Sequence, residues 1–475
     1  QTQDSYWDSA AKKFDSKDYQ GALIDYQKAH NIKKDVALAH NIGLCLKNLE
    51  DYKGAIYSFS EAIQLKPEYI DAYDGRAEVK FTTEDFYGAI SDKYRAIELD
   101  EDNMENARRY YFVAFMKINL KDINGGIGDL EKALQIVPHK ETQYMAELHM
   151  IIGRGYAELE NISEAKNNFL KSIEIFPNTE AYKNLIYYTE DDNDKIKYYS
   201  EAIKLDPNDA ELYKDRGFAY SGIKNYYAAI SDFMRYNDLQ TEENNLVRGY
   251  WWIAFNKAII GDHKGAIDDY SKALQIMLEN RENWTLANFV NNYIWRGESK
   301  RDSEDNVGAL DDYSKALEIA MKNEYEEKHE QISKIYQHRI SLKQWEIKDG
   351  VVEEASKYLE YALALNDNEQ ISQAYNYRGE GYWLINDFHS AIEDFSKAIE
   401  LEEDENYYTN RGESLGEIGK YAEAMVDINK ALEINPEYMW AYEERGIIKK
   451  YLNDLEGACA DWEIGKKLGY LSVIE

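Results

Sequence analysis

The chain has 475 residues, 44% of them apolar, which is enough to bury a large core. Its formal net charge of -33 at pH 7 repels phosphate backbones, so binding to nucleic acid is disfavoured. Only two cysteines occur, Cys45 and Cys459, which excludes a disulfide framework and a cysteine zinc site. No long apolar run exists, so we expect no membrane span.

A short motif recurs along the chain: IDDYSKALQI begins at Ile267, and LDDYSKALEI begins at Leu310. The alanine of this motif has an equivalent in each of thirteen units, at steps of mostly about 34 residues. These anchors are Ala29, Ala62, Ala96, Ala133, Ser172, Ala202, Tyr236, Ala273, Ala316, Ala362, Ala398, Ala431 and Gly465. A bulky residue usually stands three positions before the anchor and a second small one seven before, a spacing that predicts a helix packed closely against its neighbours.

The prolines set the phase of the repeat, because each of the five lies five residues after an anchor. They are Pro67, Pro138, Pro177, Pro207 and Pro436. Proline cannot continue a helix, so each marks where one helix stops and the next begins. A second apolar-periodic stretch and a short polar turn precede each anchor helix. The predicted unit is therefore helix, tight turn, helix, repeated about thirteen times.

This pattern resembles the tetratricopeptide repeat, and the resemblance covers nearly the whole chain. The second unit shows its small residues, bulky filler and terminal proline as Gly43, Ala55, Phe59, Ala62 and Pro67. The final stretch, beginning YEERGIIKK, is similar to the last repeat of bacterial arrays. The resemblance implies an all-α fold, a right-handed superhelical α-solenoid. We expect units 1–8 at residues 1–275, units 9 and 10 with insertions at 276–368, and units 11–13 with a C-terminal cap at 369–475.

Six units carry an arginine in the first helix and an aspartate sixteen residues later in the second. The predicted pairs are Arg76 with Asp92, Arg216 with Asp232, Arg296 with Asp312, Arg378 with Asp394, Arg411 with Asp427, and Arg445 with Asp461. A desolvated guanidinium needs a carboxylate, so we interpret these as structural ion pairs rather than an anion-binding ladder. Asp25, Asp129 and Asp269 have no arginine at this spacing, and the unit with Leu342 and Tyr358 is expected to lack the pair.

In the superhelix that the resemblance implies, the first helices line a concave groove. Aromatic residues fall on that face in two units: Tyr111, Phe112 and Phe115 in unit four, and Trp251, Trp252 and Phe255 in unit eight. We predict that they anchor a partner, with packing between adjacent units as the structural alternative. Acids occupy the same face elsewhere, and they either select a basic partner or only solvate the surface. These acids are Asp74, Glu78, Asp215, Glu298, Glu380, Glu413, Glu443 and Glu444.

The sequence shows no catalytic motif, no metal-ligand spacing and no phosphate-binding loop, so we predict no enzyme, no metal site and no cofactor. The main hypothesis is a non-catalytic protein–protein interaction scaffold that binds a basic or aromatic-bearing protein or peptide in the concave groove. Two alternatives stay open: a cell-envelope protein that binds a glycan or small molecule, and a structural subunit of a larger assembly. A start without Met suits a periplasmic or secreted protein after signal-peptide removal and equally a shortened chain, with the cytoplasm as the alternative compartment.

Overall fold

The computed structural model describes residues 2–347 and 349–469. Within these ranges the chain forms 26 α-helices and no strand, which confirms the all-α helical repeat predicted from the sequence. The chain divides into two compact units, Gln1–Ile223 and Lys224–Glu475. The three-block division expected from the sequence stays a prediction. None of the described helices is long and apolar enough to cross a membrane.

Unit 1 contains α1 to α13, in which odd-numbered helices are the first and even-numbered helices the second of each repeat. Their bounds are α1 Gln3–Asp15, α2 Tyr19–Ile32, α3 Val36–Asn48, α4 Tyr52–Leu65, α5 Ile70–Thr82, α6 Phe86–Leu99, α7 Asn103–Asn119, α8 Ile123–Ile136, α9 Thr142–Glu158, α10 Ile162–Ile175, α11 Thr179–Tyr187, α12 Asp192–Leu205 and α13 Ala210–Gly222. At 9 residues, α11 is shorter than the other helices of this unit, which have 13 to 17.

Unit 2 contains α14 to α26 and both predicted insertions. Its helices are α14 Tyr226–Leu239, α15 Glu243–Ile259, α16 His263–Glu279, α17 Leu286–Asp302, α18 Asn306–Lys322, α19 Lys328–Leu342, α20 Val351–Leu365, α21 Asn368–Leu384, α22 Phe388–Leu401, α23 Glu405–Glu417, α24 Tyr421–Ile434, α25 Met439–Tyr451 and α26 Leu455–Lys467. The insertions lengthen α16 and α18 to 17 residues, where α22 and α24 have 14.

A recurring turn joins the two helices of a repeat. The Asp51 carboxylate accepts a hydrogen bond from the Gly54 amide at 3.0 Å and thereby caps α4. The residue before this aspartate, Glu50, adopts a left-handed backbone with φ of 61°, which closes the preceding helix. Asp305 and Glu304 repeat the arrangement at the start of α18. Such short turns place the two helices of a repeat side by side.

The bulky residue of each second helix packs between two first helices. Phe59 of α4 is fully buried. A Cβ atom added at Gly43 of α3 would lie 2.7 Å from the Phe59 ring, and one at Gly75 of α5 would lie 2.8 Å from it. Glycine at both positions therefore lets the ring fill the space between adjacent repeats.

Within each unit, the first helices also contact one another from repeat to repeat. The helices that do so are α3 with α5 in unit 1, and α17 with α19, α21 with α23, and α23 with α25 in unit 2. The first helices thus form one layer, which we call the inner layer, and the second helices form the outer layer. This placement decides which side chains a partner would meet.

Candidate functional site

Five of the predicted arginine–aspartate pairs form within their own repeats. In each, the arginine Nε and Nη2 donate to the two carboxylate oxygens at 2.6 to 2.9 Å. Arg296 also lies over the Tyr293 ring, with 5.5 Å between the guanidinium carbon and the ring centroid. Such bidentate pairs fix the position of one helix against the other. Arg216 and Asp232 belong to different units: Arg216 donates to Ser200 in unit 1, and Asp232 is buried in unit 2.

The arginines also bind the preceding repeat, through the serine of the recurring motif. Arg296 Nη1 donates to Ser271 Oγ of α16 at 3.1 Å. The Ser271 hydroxyl itself donates to the Ile267 carbonyl at 2.7 Å, so its oxygen is left as the acceptor. Equivalent contacts reach Ser60, Ser396 and Asn429. The motif DDYSKAL therefore holds an aspartate for its own repeat and a serine for the next.

The three aspartates without an arginine pair with lysines instead. Lys13 lies 2.6 Å from Asp25, Lys117 lies 2.6 Å from Asp129, and Lys257 lies 2.7 Å from Asp269. Each lysine stands 12 residues before its aspartate, one helical turn after the arginine position. A lysine one helical turn further along therefore reaches the carboxylate that has no arginine.

The unit with Leu342 and Tyr358, which has neither residue of the pair at the usual positions, forms an ion pair between other residues. Arg339 Nε donates to Glu354 at 2.6 Å, and Lys343 donates to the same carboxylate at 2.9 Å. Burial opposes ionisation of Glu354, but its two cations outweigh burial and lower its pKa. The spacing is 15 residues instead of 16, and the longer glutamate side chain bridges the difference. A π-helix at Lys343–Ile347 follows Leu342 and hides this register in the sequence.

The aromatic residues predicted in unit 1 are mostly engaged in packing. The Tyr111 ring centroid lies 6.3 Å from that of Tyr144 in the next first helix. Phe112 lies 5.1 Å from Phe81 in the previous one, and Phe115 lies 6.2 Å from the same ring. Only Phe115 of the three is exposed, at 49%. Tyr111 and Phe112 therefore join neighbouring repeats, and their contact with a partner stays a prediction.

Trp251 of unit 2 packs against two other tryptophans and donates a hydrogen bond through its indole nitrogen. Its ring centroid lies 5.4 Å from that of Trp284 and 5.8 Å from that of Trp295, both edge to face. With the Asn292 amide oriented to donate to the Tyr270 carbonyl, its oxygen accepts the Trp251 indole N–H at 2.6 Å. The side chain thus packs against the insertion region, and its role as a partner anchor stays a prediction.

Trp252 is similarly packed, with its ring centroid 5.5 Å from those of Phe233 and Tyr236. Phe255, one helical turn further along α15, is 58% exposed. The structure therefore separates the six predicted aromatic anchors into four that hold repeats together and two, Phe115 and Phe255, that reach solvent. Contact of these two with a partner stays a prediction.

Two acids of the inner layer in unit 1, Asp74 and Glu78 of α5, are matched by cations. Asp74 of α5 accepts from Arg109 Nη2 at 2.7 Å and from Lys93 Nζ at 2.8 Å. Glu78 of the same helix forms an ion pair with Lys47 at 2.6 Å. These carboxylates link α5 to its neighbours and are already compensated.

In unit 2, the acids of the inner layer have fewer positively charged partners from one first helix to the next. Glu298 of α17 lies 3.1 Å from His338 Nε2. Among the residues that the structure describes, Glu380 of α21 accepts hydrogen bonds from amides alone: Asn376 at 2.8 Å, Gln344 at 3.1 Å and Asn410 at 3.2 Å. Burial raises the pKa of Glu380 more than these amides lower it.

Two further carboxylates, on α23 and α25, meet no cation at all within residues 2–347 and 349–469. Burial and, to a smaller extent, the charges of Glu417, Glu443 and Glu380 together raise the pKa of Glu413 to about 7. Burial likewise raises the pKa of Glu444 to about 8, with Glu413, Glu443 and Glu417 contributing. We call Glu380, Glu413, Glu417, Glu443 and Glu444 the acidic face. For Glu413 and Glu444, no cation of the described residues offsets the repulsion of the neighbouring glutamates.

The family model described as Tetratricopeptide repeat matches residues 36–69, 146–179, 372–405 and 406–438. Each match spans one helix pair with the layered packing described above. The chain contains tetratricopeptide repeats at these four positions. The two C-terminal tetratricopeptide matches contain Glu380 and Glu413, so the acidic face begins on repeats that the family model recognises.

Similarity to curated tetratricopeptide proteins is partial. Human serine/threonine-protein phosphatase 5 is 27% identical over 96 residues, which are 20% of this chain and 19% of that protein. The peroxisomal targeting signal receptor of Saccharomyces cerevisiae is 24% identical over 259 residues, 52% of this chain and 40% of the receptor. The chain thus spans about a fifth of the phosphatase and two fifths of the receptor.

Among solved structures, the C-terminal part of a TPR repeat-containing protein from Cytophaga hutchinsonii is similar to this chain. It is 17% identical, covers 54% of this chain and 98% of its own, and superposes with a TM-score of 0.41. The family assignment rests on the repeat matches and on the helix pairs, and the acidic face is a feature of this chain's own residues.

Proposed function

We propose that this protein is a non-catalytic scaffold that binds a basic segment of a partner protein on the acidic face of α21, α23 and α25. The observation that carries the proposal is the pair of carboxylates, Glu413 and Glu444, for which the described chain supplies no cation. Both lie on first helices, in the layer that repeat-to-repeat contacts bring together.

A lysine or arginine side chain from outside would relieve this repulsion. The free protein holds Glu413 and Glu444 close to like charges, so part of their population is protonated near neutral pH. An approaching cation restores the ionised form and gains from each carboxylate it meets. Tetratricopeptide repeats bind protein partners, and one relative is named as a receptor for a targeting signal, which supports a protein segment as the ligand.

The amide group next to the acidic face supports recognition of an extended segment. Asn410 donates to both Asn376 at 3.0 Å and Glu380 at 3.2 Å, and Gln344 donates to Glu380 from the preceding repeat. These bonds hold Glu380 in place before any ligand arrives, so little side-chain entropy remains to be lost on binding.

The alternatives from the sequence have less support at their proposed sites. A glycan would need an open aromatic platform, and Trp251 is packed against two tryptophans and bonded through its indole nitrogen. A structural subunit would use the outer layer instead. Variants that change one layer at a time distinguish binding on the inner layer from binding on the outer layer.

The test uses the full chain and fluorescent Gly/Ser peptides that carry several lysines or none. Wild-type protein is compared with a variant carrying Glu413→Gln, Glu417→Gln and Glu444→Gln. The matched control carries Glu393→Gln, Glu400→Gln and Glu433→Gln, which remove the same charge from exposed positions of α22 and α24. We expect at least about tenfold weaker binding of the lysine peptide for the inner variant, about 1.4 kcal/mol, and little change for the control.

Equal weakening by the two variants would show that only net charge matters and would reject the acidic face. Affinity-purified partners whose cross-links map to α22 and α24 would instead favour a structural subunit that uses the outer layer.

A further inference from the structure

Unit 1 contains a cleft that belongs neither to the acidic face nor to the regular repeat. Its volume is about 460 Å³, within the range of small-molecule sites. It opens where the short helix α11 stops: Ile186 and Tyr187 are the last residues of that helix, and Thr189 lies in the turn that follows. The remaining walls come from α12 and α13.

Three aromatic side chains line the cleft, one from each helix. Tyr187 is 80% exposed, and its ring meets that of Tyr188 edge to face, with centroids 4.8 Å apart. Phe218 of α13 is 45% exposed, and Tyr199 of α12 is partly buried. Exposed aromatic rings around a concave space give a ligand a large contact area with few rotatable bonds to order.

The charges at the cleft are predominantly negative. Asp192 pairs with Lys195 at 3.0 Å, which compensates one carboxylate of the lining. Asp215 lies 3.5 Å from Lys214, but that lysine also contacts Glu211. The lining itself thus holds two carboxylates, Asp192 and Asp215, and one lysine, Lys195.

Tyr199 lines the cleft together with both of its carboxylates, Asp192 and Asp215. Burial raises the pKa of Tyr199, and the charges of Asp215 and Asp192 raise it further. Burial also raises the pKa of Asp215, more than Lys214 lowers it. An additional positive charge in this space would be stabilised by both acids.

We propose that this cleft binds a small alkylammonium cation, held by the faces of Tyr187 and Phe218 and by the Asp215 carboxylate. An aromatic ring attracts a cation through its quadrupole, and an apolar shell around the nitrogen lowers the cost of removing it from water. A neutral molecule of the same shape would keep the aromatic contact and lose the electrostatic part. The site is independent of the acidic face, which lies in unit 2.

Saturation-transfer NMR on the full chain tests the site with choline as the probe. Its neutral counterpart, 3,3-dimethyl-1-butanol, has the same shape without the charge. We expect choline to bind at least about fivefold more tightly than the alcohol. Equal binding of both probes, or binding of neither, would overturn the proposal.

Three variants place the signal in the cleft. Tyr187→Ala removes a largely exposed ring, so the fold is retained, and Asp215→Asn removes the charge at constant size. Each is expected to weaken choline binding about fivefold. Tyr87→Ala, at a ring 76% exposed on α6, is the matched control and should change nothing. Choline binding that survives the first two changes, or is lost equally in the third, would place the site elsewhere.

Discussion

The inner layers of the two units hold acids at similar repeat positions but treat them differently. In α5, Asp74 stands two residues before Arg76 and is bound by Arg109 and Lys93 at 2.7 and 2.8 Å. In α25, Glu444 stands directly before Arg445, and within the described chain no cation reaches it. The first acid helps to hold repeats together, whereas the second repels its neighbours.

The repeat pattern therefore does not determine whether an acid stabilises the fold. Arg109 and Lys93 come from α7 and α6, so Asp74 depends on what the surrounding helices supply. Around Glu444, the adjacent helices supply Glu413 and Glu417 instead. An acid without a cation in its own fold is the one available to a partner.

The largest expected loss of stability comes from removing an acid that binds buried cations. Asp74→Asn leaves Arg109 without its bidentate carboxylate and Lys93 without its partner, and both are buried. We expect a local destabilisation of about 2 kcal/mol. Faster backbone hydrogen exchange in α5 to α7, with the distant α1 and α2 unchanged, would show it, because repeats open locally. Unchanged exchange in α5 to α7 would mean that Asp74 is not needed there.

Removing an acid that has no cation beside it should stabilise the fold instead. The pKa of Glu444 is raised from 4.5 to about 8 in the folded chain, so the folded state binds more protons than the unfolded state between these pH values. Its contribution to stability is therefore present at pH 5 and lost as the pH rises through about 8. Glu444→Gln should raise the melting temperature at pH 8.5 by a few degrees and leave it unchanged at pH 5. Equal melting of wild type and variant at both pH values would contradict this.

The smallest effect is expected for a compensated acid at the surface. Glu78 shares α5 with Asp74, but its pair with Lys47 is exposed, with side chains 50% and 32% accessible. Glu78→Gln should change the free energy of unfolding by less than about 1 kcal/mol, and high salt should remove even that. A loss as large as that of Asp74→Asn would show that pairing alone, without burial, sets the strength of these contacts.

Much of the repeat could be predicted from spacing, because helix phase and close packing depend on residues at fixed separations. The sixteen-residue spacing from Arg296 to Asp312 predicted a contact that the structure contains. The lysine pairs were missed although a twelve-residue spacing, as between Lys257 and Asp269, carries the same signal. Arg339 and Glu354 escaped detection because a π-helix and a longer side chain break the register.

Spacing alone could not predict which side chains of the inner layer are exposed or which of its acids have cations beside them. Trp251 and Phe255 occupy successive turns of one helix, yet the first is packed and the second exposed. Which of them faces a neighbour depends on Trp284 and Trp295, which belong to the insertion and to the next repeat. The compensation of an acid depends likewise on helices far along the chain.

We propose that the Glu413 and Glu444 carboxylates have no cation beside them until a basic partner binds. Carboxyl carbon NMR, with site-specific assignment by Glu413→Gln and Glu444→Gln, measures this directly. We expect apparent pKa values of about 7 and about 8 in the free protein, and lower values when a lysine-rich peptide is bound. Values near the ordinary 4.5 in the free protein would contradict the account.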